Sequence, residues 1–185
     1  MKNINIVYII FPLILLLLNT IKNNKIKFVL SYCLFVFVFV MAKNGSDYEG
    51  YKYLYNNYST TTGLHGEPLY VAINILFYSL GLSYEMFRVI FLSAFLFLFL
   101  FSLYKISDNF IISFVISYVL FLVYFVSAYR QFATIAIFIF SIYLLFYNKS
   151  IYREKITIII NFLAIFIHSL AIFQLFLFVI IILYR

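Results

Sequence analysis

Four ionisable side chains stand where they could do chemistry in a chain otherwise dominated by Ile, Leu and Phe: Asp47, Glu67, Arg130 and His168. Asp47, Tyr51, Tyr55 and Tyr58 recur at i, i+4, i+8 and i+11, which is one face of a helix. A carboxylate beside aromatic faces suits a sugar-handling site. The same pattern also describes an interfacial helix with tyrosines at headgroup depth. Glu67 precedes Pro68 and could serve as a general base or a sugar-hydroxyl acceptor; a carboxylate favoured by the helix dipole is the plainer alternative. Arg130, followed by Gln131, could grip a diphosphate through two parallel N–H bonds, or snorkel to lipid headgroups. His168 falls well inside the apolar run that starts at Ile156, roughly 18 Å along a helix. An ionisable residue at that depth points to function, with a neutral histidine bonded to a neighbouring helix as the alternative.

Other chemistries find no support. Two distant histidines and the single Cys33 offer no metal-ligand spacing, so no metal is expected. No phosphate-binding glycine loop or nucleophile elbow is present. His65 reads as a loop residue. Glu85 and Arg88, three positions apart, read as a surface ion pair of small worth.

The elements that must hold these residues are membrane helices. Of 185 residues, 66% are hydrophobic and 10% charged, whereas soluble domains are about a quarter charged. The expected fold class is therefore all-α, a polytopic membrane helical bundle. Apolar stretches fill the whole chain, which argues against a cleaved signal as the meaning of its start. The net charge of +7 suits loops facing an anionic leaflet and membrane lipids. No basic cluster lies on a fold that could hold nucleic acid. One cysteine excludes an intrachain disulfide framework.

In chain order, apolar spans are expected at 4–20, 28–42, 87–104, 110–127, 132–147 and 156–183, against the about 20 residues that a bilayer core requires. The polar segment 43–67 lies between the second span and the shorter apolar stretch Pro68 to Leu82. Ser46 and Glu49 are spaced as a capping box at the start of the tyrosine helix, and Thr60-Thr61-Thr62-Gly63 ends it. Pro68 fits the first position of the next helix, and Gly81 fits its stop. If that helix crosses the membrane, Glu67 and Arg130 lie on opposite sides; if it is interfacial or re-entrant, they share one. The distribution of basic residues favours the second arrangement. It gathers Lys22, Lys25, Lys27, Lys105, Lys149, Arg153 and Lys155 on one side. About six spans and one outer interfacial or re-entrant helix result.

The order Gly45-x-Asp47-x-x-x-Tyr51-x-x-x-Tyr55, Glu67-Pro68-Leu69-Tyr70, Tyr129-Arg130-Gln131-x-Ala133 and His168-Ser169-Leu170-Ala171 resembles the EpsG family. These are Wzy-type membrane proteins of bacterial exopolysaccharide, capsule and O-antigen synthesis. The resemblance runs from about residue 28 to the C-terminus and implies a GT-C-like, glycosyltransferase-type polymerase on the outer face of the cytoplasmic membrane. Its substrate would be an oligosaccharide repeat unit carried on undecaprenyl diphosphate, and no cofactor or nucleotide is implied. Asp47 and Glu67 would activate and position the acceptor hydroxyl, and Arg130 would hold the donor diphosphate. His168 would bind that diphosphate or assist proton transfer. Tyr51, Tyr55 and Tyr70, with Gln131, would line the substrate site. Family members continue with further spans past the His-Ser segment. Residues 1–185 are accordingly expected to form a single integral membrane domain, the N-terminal half of a longer fold. A transporter or flippase-like protein, a structural subunit working with other polysaccharide-export proteins, and an inactive fragment of the polymerase are the competing readings.

Overall fold

The computed structural model describes residues 6–40, 47–57, 67–126, 128–148 and 150–184, and every regular element among them is helical. The elements are α1 (Ile6–Leu18), α2 (Asn24–Phe35), a π-helical turn (Val36–Val40), α3 (Tyr48–Asn56) and α4 (Pro68–Ser79). They are followed by α5 (Tyr84–Ile106), α6 (Phe110–Val126), α7 (Tyr129–Tyr147), α8 (Arg153–Ile165) and α9 (Ala171–Leu183). Of these, α5 and α7 are long and apolar enough to cross a membrane, while α4 and α9 are shorter apolar helices.

Side-chain pairs fix the direction in which each helix runs. Phe91 meets Tyr129, Phe99 meets Phe132 and Phe101 meets Tyr143, so α5 and α7 are parallel and α6 carries the chain back between them. Phe11 packs on Phe114, and the Tyr118 hydroxyl donates to the Tyr8 carbonyl at 2.9 Å, which makes α1 antiparallel to α6. Phe28 touches Tyr104 and Phe110, so α2 starts where α5 ends. Asn23 caps α2 there, its side chain accepting from the Lys25 and Ile26 amides. One end of the bundle thus carries Lys22, Lys25, Lys27 and Lys105. The starts of α5 and α7 lie at the other end. Arg88 and Arg130, near those starts, lie there with them.

At that second end, α3 and α4 lie across the start of α5. Pro68 opens α4 at its first turn, as expected, and Gly81 follows its last turn with φ +73. This left-handed conformation costs an L side chain energy that glycine avoids. Ser83 then caps α5 by accepting from the Met86 amide. The tyrosine helix departs from expectation at its start. Asp47 occupies the N-cap without a side-chain capping bond, so α3 begins one residue later than a Ser46 cap requires. The register is set by what α3 buries. Tyr48, Tyr51 and Tyr55 all face inward, Tyr48 donates to Glu85 at 3.0 Å, and Tyr55 donates to the Leu82 carbonyl at 2.8 Å. Glu85 therefore pairs with Tyr48 and with Lys52, at 3.4 Å, instead of forming the expected pair with Arg88. Arg88 is buried, its guanidinium 5.5 Å from the Tyr48 ring. Ser46, Tyr58, Thr60–Gly63 and His65 lie outside the described residues.

The last stretch is the main correction. Residues 156–183 do not form one long span; the helix stops at Ile165 and restarts at Ala171. Arg153 donates to the Asn148 carbonyl at 3.2 Å, and Asn161 Nδ2 donates to the Ser141 hydroxyl at 2.7 Å, so α8 climbs antiparallel to α7. Phe178 of α9 packs on Phe138 of α7 at 5.0 Å, which shows the chain turning back down. The pair is a helical hairpin, and His168 sits at its tip.

Candidate functional site

Each half of the hairpin is 13 residues long, or about 20 Å at the helical rise. Its tip therefore reaches the level where α4 begins. A helix start exposes amides that have no intrahelical acceptor. At α4 those of Leu69 and Tyr70 donate to the Phe166 carbonyl, at 3.0 and 3.3 Å. Phe166 has left the regular pattern of α8, and its oxygen caps another helix. That joint brings His168 against Glu67, the N-cap residue of α4.

Three charged or titratable side chains meet here. Glu67 Oε1 lies 2.5 Å from His168 Nδ1. Glu67 Oε2 accepts from Arg130 Nη1. The side chains are 12%, 14% and 17% exposed for Glu67, His168 and Arg130, so the cluster is mostly enclosed but not sealed from solvent. Arg130 occupies the first turn of α7. Its Nε donates to the Tyr51 hydroxyl at 3.2 Å, and its guanidinium lies over the rings of Tyr51 and Tyr70 at 4.8 and 5.2 Å. Such stacking adds to the ion pair and holds the guanidinium plane. Nη2 has no hydrogen-bond partner among the described residues, which leaves a pair of donors for an anion.

The phenols form the floor beneath this cluster. Tyr51 and Tyr129 pack with ring centroids 4.3 Å apart and their planes tilted by 57°, and the Tyr70 and Tyr129 hydroxyls are hydrogen-bonded to each other. Burial pushes the Tyr70 phenol up to about 12, so it stays neutral under ordinary conditions. Asn74 Nδ2 donates to the Tyr70 carbonyl one turn on.

The expected site residues therefore divide. Glu67, Arg130 and His168 converge, with Tyr51 and Tyr70 supporting the arginine. Tyr55, one turn further along the same buried face of α3, is instead stacked on Phe87 at 5.2 Å and donates to the Leu82 carbonyl. Asp47 is exposed at the head of α3, and Gln131 is half-buried on α7. Two parts escaped the sequence reading. Tyr129 is one; it adjoins Arg130 and was legible only as a neighbour. The Phe166 carbonyl is the other, and its trace is the excess length of the apolar run from Ile156 to Leu183. Among the described residues, no group of three or more His, Cys, Asp or Glu could hold a metal ion.

A family model described as the EpsG family matches residues 26–185. No curated protein and no solved structure matches the chain.

Proposed function

We propose that this chain, which belongs to the EpsG family and with it to the membrane proteins of polysaccharide biosynthesis, polymerises oligosaccharide repeat units carried on undecaprenyl diphosphate. The observation that carries the reading is the meeting of Glu67, Arg130 and His168 at the end of the bundle away from Lys22, Lys25, Lys27 and Lys105. Positive residues favour the cytoplasmic side, so the cluster faces outward, where lipid-linked repeat units are joined. In this reading α1, α2 with its π-helical turn, α5, α6, α7 and the α8–α9 hairpin are inserted in the cytoplasmic membrane. The helices α3 and α4 lie on its outer surface, in a GT-C-like arrangement.

The chemistry follows from the donors left open. Transfer of a glycan from a lipid diphosphate places negative charge on the leaving phosphate. The free Nη2 edge of Arg130, already oriented by Tyr51 and Glu67, answers that charge with two N–H groups. The leaving group is activated by its own diphosphate, so the reaction asks for no nucleotide.

Complementation tests the proposal. In a strain lacking its own polymerase, the chain is expected to restore long polymer on a gel. Arg130→Lys and His168→Ala should abolish it at normal membrane abundance. Polymer retained by both variants refutes the assignment of the site. A lipid-linked glycan that reaches the outer face but is never elongated favours transport, and loss of a partner's abundance without the chain favours a structural subunit.

A further inference from the structure

We infer that Glu67 is a positioning residue, which holds His168 with its hydrogen on Nδ1 so that Nε2 is the proton acceptor for the attacking sugar hydroxyl. The inference deepens the polymerase reading and rests on it for the identity of the substrate.

An ionised carboxylate only accepts hydrogen bonds. At 2.5 Å from Glu67 Oε1, His168 Nδ1 must carry the hydrogen. In a neutral imidazole the other nitrogen then holds a lone pair. Nε2 has no partner among the described residues. The orientation is enforced from two sides. Arg130 Nη1 fixes the second carboxylate oxygen, and the hairpin tip is tied to α4 through the Phe166 carbonyl. Glu67 itself is a poor base for substrate, because each oxygen already has a donor and its side chain is 12% exposed. The remaining candidates are weaker. Tyr70 is held neutral by burial, the Tyr51 hydroxyl accepts from Arg130, and Asp47 stands exposed at the head of α3.

The acceptor hydroxyl gives its proton to His168 Nε2 while its oxygen bonds to the anomeric carbon of the donor glycan. The bond from that carbon to the diphosphate oxygen breaks, and the electron pair leaves on the lipid diphosphate, facing Arg130. The imidazolium is stabilised by Glu67 and releases its proton to water. A carboxylate that orients a histidine in this way acts on tautomer and on charge together.

Glu67→Gln makes the test sharp. Arg130 donates to the Oε2 position, so the amide must turn its carbonyl there and its NH2 toward His168. Nδ1 then has to accept, and the hydrogen moves to Nε2, the wrong tautomer for a base. The full chain in lipid nanodiscs, with isotope-labelled histidine, reads this directly by NMR, and His168→Ala identifies the signal. Wild type should show the Nδ1–H form and Glu67→Gln the Nε2–H form. With an undecaprenyl-diphosphate-linked repeat unit as substrate, Glu67→Gln should lower kcat by about 10²–10⁴-fold with little change in KM. Glu67→Asp, still a carboxylate, should retain the tautomer and recover part of kcat. A wild-type spectrum with the hydrogen on Nε2 overturns the inference without any variant having to fold. So does a folded Glu67→Gln protein that keeps its tautomer and near-normal kcat. If the tautomer switches as expected but wild type elongates no lipid-linked glycan, the polymerase reading falls and the positioning of His168 by Glu67 stands.

Discussion

Glu67 and His168, 101 positions apart, touch through Oε1 and Nδ1 at 2.5 Å, because a helical hairpin lifts the histidine to the start of another helix. A single straight span would have left His168 deep in the bundle and away from the carboxylate. Proximity is therefore a direct test. In a Cys33→Ala background, Glu67→Cys combined with His168→Cys should be bridged efficiently by a short bis-thiol reagent in membranes. The control pair Tyr53→Cys and His168→Cys should not, since Tyr53 is exposed on α3. Equal bridging of both pairs would contradict the hairpin.

Arg130 separates stability from chemistry. Arg130→Ala leaves the enclosed Glu67 carboxylate without its cation, and breaking a buried pair in this way costs about 3–5 kcal/mol. Lower thermal stability in detergent and reduced membrane abundance are expected. Arg130→Lys keeps the charge but loses the paired donors, so abundance should hold while polymer formation fails. Polymer of normal length from the lysine variant would refute the diphosphate role.

Asn161 and Ser141 tie α8 to α7 through a bond of 2.7 Å, and Asn161 Nδ2 also donates to the Thr157 carbonyl at 2.8 Å. Interhelical side-chain bonds of this kind in membranes average about 0.6 kcal/mol. Ser141→Ala should therefore be mild, and a double-mutant cycle with Asn161→Leu should return a coupling of about that size. A coupling near zero, read by denaturation in detergent, would show that the hairpin is held elsewhere.

The Tyr70 phenol makes an alkaline prediction. Its ordinary value of 10.0 is raised by burial to about 12. A folded-state value above the unfolded one contributes stability that is complete below pH 10 and is lost as pH rises through about 12. Tyr70→Phe removes this contribution, so its stability should decline less steeply across that window. Tyrosinate absorbance followed together with helix content tests it; an unchanged slope would place the alkaline transition on other tyrosines.

Much of this architecture was legible in local signals. Pro68 and Gly81 bracket a short apolar helix, and the lysines at 22, 25, 27 and 105 mark one end. Both features follow from chain geometry and charge alone. Arg130 and His168 stood out for the cost of a charge in an apolar setting. Their meeting with Glu67 did not, because contacts across 63 and 101 positions leave no periodic trace. The interruption at residues 166–170 was hidden for a related reason: it contains neither Gly nor Pro, and its cause is an acceptor demanded by α4. The phenols of α3 were legible as one face, but a face shows spacing and not direction. Tyr48, Tyr51 and Tyr55 turn it into the bundle.

The bond from the Leu69 amide to the Phe166 carbonyl belongs to the main chain, which gives the site an unusual genetic profile. Exchanging the side chains at 69 or 166 leaves both bonding atoms in place, so an alanine scan would pass over the joint that carries His168 to Glu67. Slow deuterium uptake at the amides of residues 69 and 70 is where that joint would make itself known.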